Sequence, residues 1–150
     1  MIITARLIEA LGSRPIEVRR FRQVFGEGPV TEAEAVKRAA DIDIVWGCLA
    51  QCLLSTEQEE EFWRVCDQAW PLYWRQKDEA EAEYRRIQEG LIKKYLKGDD
   101  PALHDHDGYR REEVPAALKR ADANFAARDA FYKERARTFF ALYNREIRHD

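Results

Sequence analysis

The chain has 150 residues, of which 45% are hydrophobic, 35% charged and 11% aromatic. Its aromatic content argues against a disordered chain, and its scarcity of helix breakers, with 7 glycines and 5 prolines, favours long helices over a strand-and-turn fold. The net charge of −3 argues against a general polyanion binder, which would be strongly basic.

The expected location of the protein follows from features that the sequence lacks. No apolar run reaches the roughly 18 residues that a membrane span needs, and Met1–Arg6 lacks the basic region that opens a signal peptide. We therefore expect a cytoplasmic protein with no membrane partner and no cofactor. Cys48, Cys52 and Cys66 are predicted to be small core residues in a reducing compartment.

Residues 1–55 are predicted to form a small N-terminal helical subdomain. Apolar residues at helical spacing, Pro15 at a helix start and a capping box at Thr31–Glu34 indicate several short helices. The expected helices run from Ile2 to Leu11, from Pro15 up to Gly26, from Thr31 through Ala40, and from about Asp43 to Leu54.

Four arginines lie close together in this N-terminal region, at Arg14, Arg19, Arg20 and Arg22. One interpretation is an ordinary solvated helix face, since the surrounding chain is not basic. The other is a small anion site, or a nucleic-acid site that the cluster forms together with Arg110 and Arg111.

A long helix is predicted to begin at a second capping box, Thr56–Glu59. Its aromatic residues Phe62, Tyr73, Tyr84 and Tyr95 recur every 11 residues, a hendecad period of three turns at about 3.67 residues per turn. Pro71 is expected either to kink this helix or to divide it near Trp70. A second apolar stripe, Trp63, Cys66, Trp70 and Trp74, indicates that residues near 57–74 pack against the N-terminal region as well.

The last third of the chain repeats the hendecad period. Its predicted apolar seam consists of Val114, Leu118, Ala121, Phe125, Asp129, Tyr132, Ala136, Phe140, Tyr143 and Ile147. Antiparallel pairing with the first helix places Phe62 against Tyr143 and Leu91 against Val114, and leaves one polar layer of Gln76 with Asp129. That layer either fixes the register or lies at the seam edge and reaches water.

The predicted fold is therefore all-α: a long antiparallel helical hairpin with hendecad periodicity, residues 56–150, plus the small N-terminal helical subdomain. The hairpin loop is expected at about 98–113. It contains His104, Asp105, His106 and Asp107, whose side chains are of the types that bind Zn²⁺ or Mn²⁺. A solvated tip in which Asp107 caps a turn is the alternative.

The motifs of phosphate-binding loops, serine nucleophiles and His-Glu-x-x-His metalloproteases are absent from the sequence, so we do not expect an enzyme. The repeat units Glu61–Val65 and Glu83–Ile87 resemble the Ala-x-x-Glu-Tyr-x-Arg-Val repeats of uncharacterised phage and bacterial mobile-element proteins. The resemblance covers roughly residues 7–97 and departs from the pattern at Pro71 and the tryptophans. It implies an origin and a shape but does not indicate any activity.

The leading hypothesis is a non-catalytic protein-binding module, since two helices bury only one seam. The partner is either another protein or a second copy that completes a four-helix bundle. By analogy with anti-CRISPR proteins, the other protein is a host defence complex. The expected partner-binding residues are Tyr84, Tyr95, Arg86, Arg110 and Arg111. A metal-binding protein that uses residues 104–107, and nucleic-acid binding through Arg14–Arg22, remain alternatives.

Overall fold

A computed structural model describes residues 3–42, 45–98 and 101–147. These residues form the helices α1 (Ala5–Ala10), α2 (Pro15–Phe25), α3 (Glu32–Lys37), α4 (Val45–Leu53), α5 (Thr56–Tyr95) and α6 (His106–Ile147), with 3₁₀ turns at Ala39–Asp41 and Pro101–Leu103. The prediction of an all-α hairpin with a small N-terminal helical region is confirmed. The expected helix starts at Ile2 and Asp43, and Asp99 and Asp100 of the expected tip, lie outside the described residues.

The N-terminal helices begin and end where local chemistry requires. Thr31 accepts a hydrogen bond from the Glu34 N–H, and the Glu34 carboxylate accepts one from the Thr31 N–H, which completes the predicted capping box of α3. Pro15 is the first residue of α2, and Gly26 ends that helix with a φ of 76°, a conformation that favours glycine.

Helix α5 begins at Thr56, but the predicted capping box is wrong by one residue. The Ser55 hydroxyl accepts a hydrogen bond from the Gln58 N–H at 3.4 Å, and the Gln58 side chain accepts one from the Ser55 N–H at 3.1 Å. Serine is the better N-cap residue here because Thr56 already has helical geometry. The helix continues through Pro71 to Tyr95, so Pro71 does not divide it.

The chain folds as two compact units, and the boundaries between them lie inside the long helices α5 and α6. Unit 1 comprises Met1–Pro71 and Asp129–Asp150, and unit 2 comprises Leu72–Arg128. The predicted segment boundary at residue 55 coincides instead with the start of α5.

Unit 1 contains a dense aromatic core. Trp46 of α4 is fully buried, and its ring lies 5.9 Å from the ring of Phe139 and 5.8 Å from that of Phe140, measured between centroids. Phe62 is fully buried in the same cluster, which also holds Ala136 and Tyr143. Of the predicted seams, Phe62, Ala136, Phe140 and Tyr143 are buried here. The ion pair between Arg145 and Glu61 at 3.3 Å lies within one residue of the predicted register.

Helix α4 approaches the long helices closely because Gly47 has no side chain. A Cβ atom at this position would lie 2.9 Å from Trp63 and 3.0 Å from the Arg135 guanidinium. That guanidinium lies within 6.0 Å of the ring centroids of Phe62, Trp63, Phe131 and Tyr132. Cation–π attraction therefore offsets part of the cost of placing Arg135 among apolar side chains.

The cysteine prediction is wrong for one of the three residues. Cys66 is buried and Cys48 is half-buried, but Cys52 is exposed on α4. Burial raises the pKa of both the Cys66 and the Cys48 thiol, so each stays protonated at neutral pH.

Unit 2 is a two-helix hairpin in which α5 uses the predicted seam and α6 does not. Tyr84 and Leu91 of α5 are buried, whereas Val114, Leu118 and Phe125 of α6 are exposed, which corrects the predicted seam. Gln76, the α5 residue of the predicted polar layer, is exposed and not buried.

The rotation of α6 turns small residues, among them Ala116 and the buried Ala127, toward α5, together with two polar partners of Tyr84. The Tyr84 hydroxyl donates a hydrogen bond to Glu113, and the Arg120 guanidinium lies 4.2 Å from its ring centroid. A buried tyrosine hydroxyl needs such a partner. Turning Glu113 and Arg120 toward α5 turns Leu118 and Phe125 away from it, because the two sets lie on different sides of α6.

Candidate protein-binding surface

Unit 2 carries large apolar side chains on its outside. Val114, Leu118 and Phe125 are 50%, 61% and 63% exposed. Their spacings of four and seven residues place them on one side of α6. Ile92 and Trp74 of α5 are also exposed, and they lie on one side of their helix because they are five turns apart. We call these five residues the outer face.

Ion pairs close the opposite edge of the hairpin. Lys119 bonds Glu83 at 2.8 Å, and Lys94 bonds Glu112 at 2.6 Å. Viewed down the axis of α6, the side chains that face α5 lie between Lys119 on one side and Val114, Leu118 and Phe125 on the other. Viewed down the axis of α5, Tyr84 lies between Glu83 and Ile92. Val114, Leu118 and Phe125 of α6 and Ile92 of α5 therefore share the other edge, which the ion pair between Arg120 and Glu81 at 3.4 Å also crosses.

The ion pairs fix the charge of their carboxylates. A hydrogen bond from Lys119, with its positive charge, lowers the pKa of Glu83. Hydrogen bonds from Lys94 and then Tyr95 lower the pKa of Glu112. These groups remain ionised at neutral pH and hold the two helices together along this edge.

Charged residues of both signs surround the outer face. Arg85 is 71% exposed and lies 3.6 Å from Glu81 on the same helix, while Glu89, Arg111 and Asp122 are also exposed. Glu81 and Arg85 lie between Trp74 and Ile92 on the same side of α5, so the apolar part of the outer face is continuous only on α6.

The predicted partner-binding residues do not form one surface. Tyr84 is buried in the hairpin, and the half-buried Tyr95 donates its hydroxyl hydrogen bond to Glu112. Arg86, Arg110 and Arg111 are exposed. The two tyrosines therefore hold the hairpin together, and three of the five outer-face residues, Val114, Leu118 and Phe125, are ones that the sequence pattern had assigned to the buried seam.

The predicted metal-ligand residues perform structural roles at the hairpin tip. Asp105 accepts a hydrogen bond from the Gly108 N–H at 2.8 Å, which makes Asp105, and not Asp107, the cap of α6. His104 Nε2 lies 3.2 Å from the Gly98 carbonyl oxygen, and the rings of His104 and His106 are 5.7 Å apart. Within the described ranges, no three histidine, cysteine or acidic side chains are placed to hold a metal ion.

The N-terminal arginine cluster is partly neutralised by carboxylates. Arg14 bonds Glu17 at 2.6 Å, and Arg22 bonds both Glu9 and Glu27 at 2.7 Å. These partners raise the pKa of both arginines. Arg14 and Arg22, two of the cations expected to bind an anion, are therefore already paired within the chain.

Comparison of the chain with protein-family models, with curated proteins and with solved structures gives no match. In the part of the chain that the structure describes, none of the helices has the length and apolar character that crossing a membrane requires.

Proposed function

We propose that the chain is a non-catalytic protein-binding module that docks its partner on the outer face of unit 2. The observation that carries this proposal is the exposure of Leu118 and Phe125, both more than 60% accessible on one side of a helix. Contiguous exposed apolar side chains with a polar rim are typical of interaction sites.

The distribution of apolar residues supports the same proposal. The large side chains that are fully buried, such as Trp46, Phe21 and Phe139, all belong to unit 1. Unit 2 instead leaves most of its large aliphatic and aromatic side chains accessible, because a two-helix hairpin has only one internal seam. A partner on the outer face would supply unit 2 with the second apolar layer that unit 1 already has.

A capture experiment tests the proposal. Tagged wild-type protein and the variants Leu118→Glu and Phe125→Glu are used to retain proteins from a bacterial lysate and untagged copies of the chain. We expect each variant to retain the partner about tenfold less, because a carboxylate replaces an apolar anchor. Ile16→Glu is the matched control, since Ile16 is a 69% exposed apolar residue in unit 1. Equal capture by all variants contradicts the proposal.

The resemblance to phage and mobile-element proteins extends the proposal to a class of partner. In this form the module inhibits a host defence complex, as small phage proteins without catalytic motifs do. Phage survival is measured in defended hosts that express the wild-type chain or the Leu118→Glu variant. We expect protection from the wild type alone, and the absence of protection in every defence system tested would remove this extension.

A further inference from the structure

We infer that Cys48 and Cys52 of α4 form a two-thiolate site for a soft, thiophilic metal ion such as Cu(I). The site lies within unit 1, so the inference goes beyond the proposed protein-binding surface and does not depend on it. It is carried by the position of both thiols on one side of α4, by the spacing between them and by the ligands that the neighbouring residues can supply.

The two cysteines lie on the solvent side of a helix that is otherwise buried. Trp46, Leu49 and Ala50 face the core of unit 1 with at most 1% exposure. Cys48 is half-buried and Cys52 is exposed. Cysteine is among the residues that proteins bury most often, and its conservation or use at accessible positions is decided by thiol chemistry. Packing of the core therefore does not explain why two positions on this side of α4 are cysteines.

The spacing of the two cysteines suits an ion between them. Residues four apart on a helix have Cβ atoms about 5–6 Å apart on the same side. A disulfide requires Cβ atoms about 3.5–4.5 Å apart, so the two sulfur atoms cannot join directly without unwinding α4. One metal ion between the sulfur atoms spans the longer distance. The two thiols also interact electrostatically, since burial, then Glu17 and then Cys52 raise the pKa of Cys48.

The neighbouring groups leave the site with two sulfur ligands. Cys48 Sγ lies 4.0 Å from the Glu17 carboxylate, which already accepts hydrogen bonds from the backbone N–H and the guanidinium of Arg14. Among the described residues, no third histidine, cysteine or acidic side chain is placed to complete a metal site with the two cysteines. A structural zinc ion, which takes four protein ligands, is therefore excluded. Cu(I) fits, because it is a soft ion that thiolates select and that two of them can hold.

Binding of Cu(I) replaces two S–H bonds with two S–Cu bonds. Each thiol loses its proton to water as its sulfur binds the ion, and no electron is transferred. Arg14 and Arg135 favour the Cys48 thiolate, but burial outweighs them and keeps the pKa of this thiol raised. The positive charge of the bound ion offsets the effect of burial, because it neutralises the thiolate directly.

Competition for Cu(I) tests the inference. The full-length chain is titrated in the absence of oxygen against the Cu(I) complex of ferrozine, whose absorbance reports the ion that remains on this weak chelator. We expect the wild type to take up one ion per chain. Cys48→Ser and Cys52→Ser should each lower the affinity by about tenfold or more, because the second thiolate is then no longer supplied by the same chain. Circular dichroism should show unchanged helix content in both variants.

Cys66→Ala is the matched control. It also removes one thiol, but a buried one, so its affinity for Cu(I) should equal that of the wild type. Absence of copper uptake by the wild type overturns the inference, as does an affinity that neither serine variant lowers. A ratio of one ion to two chains that Cys48→Ser retains would assign the ion to a bridge between Cys52 residues of two chains, and it would likewise exclude the two-thiolate site within α4.

Discussion

Asp105 shows how residues of the hairpin tip hold the structure together. Its carboxylate caps α6 through the Gly108 N–H, and its own N–H donates to the carbonyl oxygen of Tyr95 at 3.0 Å. Gly108 has no room for a side chain, since a Cβ atom would lie 2.3 Å from the Asp105 carboxylate. Through these two hydrogen bonds, Asp105 orients the start of α6 against the end of α5.

The cap makes a prediction that differs from that of a metal ligand. Asp105→Ala should lower the free energy of unfolding by about 1 kcal/mol. Asp105→Asn should keep most of the stability that the cap contributes, because asparagine is an equally good N-cap residue. Urea unfolding followed by circular dichroism measures both. Asp107→Ala is the control and should cost less, since Asp107 contributes only a favourable charge to the first turn. A loss in Asp105→Asn as large as that in Asp105→Ala would contradict the capping role.

At the scale of elements, the sequence predicted where helices lie better than which side of them is buried. Capping residues and glycines act locally, so α2, α3 and α5 start within one residue of their predicted positions. The expected loop at 98–113 is shorter in the structure because Asp105 starts α6 at His106. Pro115 lies inside that helix, in its third turn, where the remaining hydrogen bonds outweigh the loss of one donor.

The buried side of α6 depends on a contact between distant residues. The apolar period of α6 predicted Val114, Leu118 and Phe125 as its seam, but the side that packs on α5 in unit 2 carries small residues such as Ala116 and the buried Ala127. The hydroxyl of Tyr84 favours the same side, since it donates a hydrogen bond to Glu113 across the hairpin. Val114, Leu118 and Phe125 were therefore visible in the sequence as an apolar stripe. Their exposure could not be predicted, because it depends on which side of α6 packs against α5.

The ion-pair edge predicts how unit 2 responds to acid. Pairing lowers the pKa of Glu83 and Glu112 in the folded state, so their contribution to stability is fully present above the unfolded carboxyl pKa of about 4.3. It is lost as the pH falls through the lowered folded values. Urea unfolding between pH 6 and pH 2, as a series, should show this decline.

A double variant isolates the two carboxylates. Glu83→Gln combined with Glu112→Gln should be less stable at pH 6 and should lose less stability on acidification, because the amides do not titrate. Added salt should reduce the difference at pH 6, since both pairs are exposed. An acid profile parallel to that of the wild type would show that these pairs do not stabilise the hairpin.

At the scale of the whole molecule, the two units differ in how completely each buries its apolar residues. Unit 1 encloses Trp46, Phe62 and Phe139 with less than 2% exposure, whereas unit 2 exposes Leu118 and Phe125. This difference is the basis of the proposed binding surface. Composition predicts a chain with a core, but it does not show how that core is divided along two long helices.

Hydroxyl-radical footprinting tests the central claim most directly, because it reports the exposure of individual side chains in solution. Phe125 and Leu118 should become several-fold less reactive when the chain is bound to the partner that it captures, while Ile16 should keep its reactivity. Unchanged, high reactivity of Phe125 and Leu118 at every concentration, including in lysate with all potential partners present, would contradict an outer face that binds protein.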